Sequence, residues 1–113
     1  MSEWLVACLC AEWCGSCREY RPPFESVARE MADAARFAWI DIEDEPQVPG
    51  DLEIVSFPSL LIARDDEIYF YGAITPQPAT LSRLVRRALA GELGVVRDAA
   101  LAGLAARARA AIG

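Results

Sequence analysis

The chain has 113 residues with four cysteines, no histidine and no lysine; 54% of it is hydrophobic and 25% charged, and the net charge is −6. That describes one globular domain with enough length for a core of its own, and it excludes disorder. Without histidine there is no Ser-His-Asp or Cys-His catalysis and no imidazole-bound zinc, and the acidic balance excludes a nucleic-acid partner.

Residues 1–10 hold an acid where a signal peptide needs basic residues, and no stretch of the chain reaches the roughly 18–20 apolar residues of a membrane span. The expected location is the cytoplasm, or the periplasm if a leader has been removed, with no membrane partner. Residues 5–10 are a short apolar run, expected as a strand buried on both faces. From 15 to 35 Tyr20, Phe24, Val27, Ala28, Met31 and Ala35 recur at helical spacing, and Pro22-Pro23 predicts a kink in that helix. A second strand follows at 37–42, then a poor helix at 47–54 interrupted by Pro49-Gly50. The run 59–63 predicts a central strand, and the polar turn 64–67 leads into 68–71 as an antiparallel hairpin. Pro78 opens a helix to about residue 90.

A last helix is expected over 97–111, with Leu101, Leu104, Ala105, Ala108 and Ile112 on one face. Residues 83–113 carry +4 against −10 for residues 1–82, which reads as the wet face of C-terminal helices. The element order implies an α/β fold around a mixed sheet of about four strands, its first two strands parallel across a right-handed helical crossover. Residues 1–92 form the domain. Residues 93–113 add a helix that packs on it or offers a homodimer face, so the chain is expected as a monomer or a homodimer.

Trp13-Cys14-Gly15-Ser16-Cys17 follows the first strand and opens the first helix. A thiolate there faces unpaired backbone N–H groups and the positive end of the helix dipole, both of which stabilise it. Two intervening residues place the second sulfur one turn on, close enough to close a small disulfide. Cys14 is therefore expected as the exposed attacking thiolate, and Cys17 as the buried thiol that releases a mixed disulfide. The rival readings of the pair are half of a metal site or two small core residues, and the strand–CxxC–helix context argues against both.

At these residues the sequence resembles the thioredoxin family, over roughly residues 4–90. Ala11 to Cys17 is similar to the family's active-site run, Pro22 falls on its helix proline, and 37–46 on its next strand and acidic turn. Ser56-Phe57-Pro58-Ser59-Leu60-Leu61 matches its cis-proline loop and Gly72-Ala73 its late glycine, and 14–58 aligns without a gap. The resemblance implies that Pro58 is cis and lies against Cys14. It also implies that the backbone of Phe57 pairs with substrate like an added strand, with Trp13 and Phe57 as the apolar lips of the groove. The family's leading strand and helix are missing, which implies the smaller core of its glutaredoxin-sized members.

Three departures from the family qualify this. Ser16 stands where thioredoxin has proline, which implies a less strongly reducing couple. Cys8 and Trp39 stand where the family has an aspartate and a lysine that manage the proton of the buried cysteine. Release through Cys17 is then expected to be slower, or to use water or Glu12. Cys8 and Cys10 share one face of their strand. They are expected as small buried hydrophobes, with Cys8 as a candidate auxiliary thiol; a four-cysteine metal site is disfavoured because the two pairs point in different directions.

The expected function is thus a thiol–disulfide oxidoreductase acting on disulfide-containing proteins or small thiols. It would need no cofactor and no metal, and an upstream reductase or small thiol would supply its electrons. The alternatives are an oxidase or isomerase of an oxidising compartment, and a non-catalytic interaction module with a redox switch.

Overall fold

Successive side chains of a strand point to opposite faces, and the strand Trp4–Cys10 (β1) has apolar groups for both. In the computed structural model, which describes residues 3–11, 13–54, 57–75 and 77–113, Val6, Cys8 and Cys10 enter one hydrophobic cluster and Leu5, Ala7 and Leu9 another. A strand buried on both sides has to be internal. β1 lies between Arg36–Asp41 (β2), which runs parallel to it, and Ser59–Arg64 (β3), which runs antiparallel. Glu67–Ala73 (β4) pairs with β3 through the expected hairpin, giving the order β2-β1-β3-β4. Asp65 turns that hairpin at φ 55°, a left-handed conformation that a short acidic side chain accepts better than most.

Two helices cover the first face. Gly15–Glu30 (α1) buries Cys17, Tyr20, Phe24 and Val27 at three-to-four spacing, and Pro78–Leu89 (α2), begun by its proline, buries Leu81, Val85 and Ala88. α1 continues through Pro22 and Pro23 but stops at Glu30, short of the residue 35 that periodicity suggests. The N–H groups of Ala34 and Ala35 both donate to the carbonyl of Met31, a turn that carries the chain into β2 while still burying Ala35.

The second face is covered from the C-terminus. The expected continuous helix over 97–111 is instead a 3-10 turn, Ala99–Leu101, followed by Leu104–Ile112 (α3). Gly103 breaks it at φ +78°, where a β-carbon would also stand 2.8 Å from a guanidinium nitrogen of Arg107. Leu101, Leu104, Ala105 and Ala108 pack on Leu5, Ala7, Leu9, Leu61 and Ala63, so the sheet is sandwiched between helices. Residues 47–51 form turns rather than a helix, with Gly50 at φ +58°, and 52–54 are irregular. Arg107 holds them, donating to the carbonyls of Val48 (2.8 Å) and Pro49 (3.4 Å). Among the described residues no helix is long and apolar enough to cross a membrane.

Candidate active site

β1 delivers the chain to the top of the sheet, and a tight turn then starts α1. The Cys14 N–H donates to the Ala11 carbonyl (2.9 Å), and Cys14 becomes the N-cap of α1 with extended backbone angles. The Cys14 side chain makes no capping hydrogen bond, and its sulfur sits half-buried, as a free thiol, beside the first-turn N–H groups that a helix start leaves without intrahelical partners. Gly15 and Ser16 are exposed in the first turn, and Trp13 is 66% exposed beside them.

Cys17 lies one turn further in and is buried (1% exposed) among the residues under α1. Its sulfur is bonded to that of Cys10, with the two Cα atoms 5.8 Å apart, a separation that a disulfide spans readily. This corrects the reading of Cys10 as a small buried hydrophobe, and the bond expected between Cys14 and Cys17 is not the one present. The cause is local. Cys10 is the last residue of β1 on the face that α1 covers, and the turn closed by the Cys14 N–H on the Ala11 carbonyl brings the first helical turn to it.

Cys8 continues the row of sulfurs. Its Sγ is 3.4 Å from that of Cys10; the disulfide sulfur carries no hydrogen, so the Cys8 thiol is the donor. Burial pushes the Cys8 thiol pKa far up, which keeps it protonated. Across the β1–β2 ladder Cys8 sits opposite Trp39. The indole lies under the Arg21 guanidinium at 5.3 Å and within an aromatic group with Tyr20 and Phe24. The Tyr20 hydroxyl is buried with no hydrogen-bond partner among the described residues, and burial, then the neighbouring Cys8, push its pKa up. A cleft of about 330 Å³ opens beside Cys17, walled by Arg18, Arg21, Trp39 and Asp44, so solvent approaches the buried cysteine from the β2 side.

The second loop completes the rim. The Phe57–Pro58 peptide is cis, Pro58 is buried, and its carbonyl accepts from the Ile74 N–H (3.4 Å) at the end of β4. Phe57 meets Trp13 edge to face, with ring centroids 5.8 Å apart. Glu12 and Ser56 lie outside the described residues. Sequence reasoning missed the bonding of Cys10 and the stranded hydroxyl of Tyr20. The signal for the first was available, since Cys10 shares the strand parity of Cys8 and ends the strand on the side of the helix.

Comparison with known proteins gives one consistent result. The family model described as Thioredoxin matches residues 2–85. A thioredoxin of Listeria monocytogenes is 36% identical over 51% of this chain and 56% of its own length, so the chain spans about half the length of such curated relatives. A putative thioredoxin 2 of Streptomyces coelicolor is 29% identical over 87% of this chain and 72% of its own length. Among solved structures, thioredoxin from Trypanosoma brucei brucei superposes with a TM-score of 0.67 at 25% identity, covering 78% of this chain and 76% of that one.

Proposed function

The chain belongs to the thioredoxin family, and from that premise we propose that it is a thiol–disulfide oxidoreductase working through Cys14 and Cys17. The Cys14 thiolate attacks one sulfur of a substrate disulfide, the other sulfur leaves and takes a proton, and a mixed disulfide remains on Cys14. Cys17, freed of its internal bond, then attacks the Cys14 sulfur. The second substrate thiol departs and the oxidising equivalent stays on the protein. The observation that supports this most directly is the half-buried free thiol of Cys14 at the N-cap of α1, one turn before a cysteine that already holds a disulfide.

The rest of the site fits a shallow peptide groove. Trp13 and Phe57 give it an apolar rim, and in the proposed mode the backbone at Phe57, just before the buried cis Pro58, pairs with an extended substrate segment. Cys8 and Trp39 supply no acid or base in the neutral range, so the proton of Cys17 is exchanged with water in the adjoining cleft. Electrons come from a reductase or a small thiol, and in a cytoplasmic setting the net direction is reduction of protein disulfides. The test is reduction of insulin disulfides by the wild type and by Cys14→Ser: the variant should lose turnover, and equal rates would remove the proposal. The oxidase or isomerase reading draws on Ser16 and predicts a reduction potential of about −180 to −120 mV. The reductase reading requires a lower one.

A further inference from the structure

Cys17 has two partners in reach. One is Cys14 at the N-cap of its own helix, with residues three apart being neighbours on a helix face; the other is Cys10 on the strand beneath, to which it is bonded. Cys10 and Cys17 are each 1% exposed, whereas Cys14 is half-buried and carries a free thiol. The inner bond is thus far less open to an external thiol than Cys14 is, and Cys14 stands one helical turn from Cys17.

From this arrangement we infer that Cys10 is a third redox residue, and that the disulfide passes between an outer Cys14–Cys17 bond, made in turnover, and an inner Cys10–Cys17 bond. This rests on the chemistry proposed above for Cys14 and Cys17. Inward, the Cys10 sulfur attacks Cys17, the Cys10–Cys17 bond forms, the Cys14–Cys17 bond breaks, and Cys14 leaves as a thiolate. Cys10 gives its proton to water and Cys14 can take one back, so the step neither consumes nor yields electrons. Outward, Cys14 attacks Cys17 and Cys10 is the leaving group.

Cys8 has a part in the outward step. Its thiol donates to the Cys10 sulfur at 3.4 Å, and its burial keeps that hydrogen in place. A donor already aimed at the departing sulfur stabilises the thiolate that forms there. Cys8 is in this sense a positioning residue for Cys10, not a partner in the exchange. The consequence is an oxidised protein that keeps Cys14 free at the groove while its oxidising equivalent is held in the core, with Cys14 as the gate for re-reduction.

The test is alkylation and peptide mapping of the protein after stoichiometric oxidation by a disulfide substrate. The expected result is native labelling of Cys14 with Cys10 and Cys17 joined, and native protection of Cys14 with Cys10 free would overturn the inference. A second measurement uses protein already carrying the inner bond. Reduction by dithiothreitol should be about tenfold or more slower in Cys14→Ser than in wild type, since the exchange then lacks its internal nucleophile; equal rates would overturn the gate. In Cys8→Ala the inner bond should still form but open more slowly than in wild type, and wild-type opening would remove Cys8 from the account. These readings separate from the insulin assay. A protein that reduces insulin through Cys14 yet holds only the outer bond fails this inference alone, and one that shuttles the bond but reduces no insulin fails only the reductase reading.

Discussion

Cys8 lies directly across the β1–β2 ladder from Trp39, and the pair puts a protonated thiol and an indole beneath α1, the indole against Tyr20 and Phe24. Neither side chain ionises near neutrality, so the floor of the site is apolar where the family has charge. That floor bears on stability as well as on proton exchange.

Above the ordinary thiol value of 9.0, Cys8 loses its proton in the unfolded chain and keeps it in the folded one. The folded-state pKa is raised, so the contribution is complete below pH 9 and is lost as pH rises, at about 1.4 kcal/mol per pH unit. Urea midpoints of wild type and Cys8→Ala across pH 8 to 10 check this: the wild type should fall more steeply, and parallel curves would contradict it.

Tyr20 presents the same environment from the helix side. Its hydroxyl is buried without a hydrogen bond among the described residues, while its ring packs on Phe24 and Trp39. Removing an unsatisfied hydroxyl from such a place relieves a desolvation penalty of about 1–3 kcal/mol. Tyr20→Phe should therefore be more stable than wild type by about 1 kcal/mol in denaturant titration, and a loss of stability would show that the hydroxyl is satisfied in solution.

α3 is part of the core. Leu104 is fully buried against the face of β1 formed by Leu5, Ala7 and Leu9. Leu104→Ala should cost about 2–5 kcal/mol by urea unfolding, the range for a large side chain removed from a packed site. A cost below about 1 kcal/mol would mean that α3 docks loosely.

The rim should matter only for large substrates. Trp13→Ala and Phe57→Ala each take one aromatic face from the rim, and an aromatic pair with a substrate side chain is worth about 0.5–1.5 kcal/mol, so KM for insulin should rise roughly two- to tenfold. Turnover of a small aromatic disulfide should be unchanged in both variants. Equal losses on the two substrates would place the aromatics in the chemistry and not in docking.

Much of this was legible in the chain because it depends on local pattern. The apolar run of β1, the hairpin at Asp65-Asp66, the helix opened by Pro78 and the CxxC at a helix start are all encoded within a few residues. The misses depend on distant contacts. The turns at 47–51 are held to the domain by Arg107, more than fifty residues away, through the carbonyls of Val48 and Pro49, and α1 ends early because the chain must turn into β2. The apolar stripe of residues 97–111 forms a buried face, but Gly103, at a left-handed φ, breaks its continuity as a helix. The Cys10–Cys17 bond also joins two elements, and spacing within the CxxC motif pointed to the partner nearer in sequence.

The proposed chemistry has Cys14 as the nucleophile and Cys17 as the group that releases it. Its most direct test is to mix reduced Cys17→Ser with a disulfide substrate and locate the adduct by mass spectrometry. A stable mixed disulfide should accumulate on Cys14, absent from Cys14→Ser and short-lived in wild type. An adduct on Cys8 or Cys10, or none on Cys14, would contradict the account.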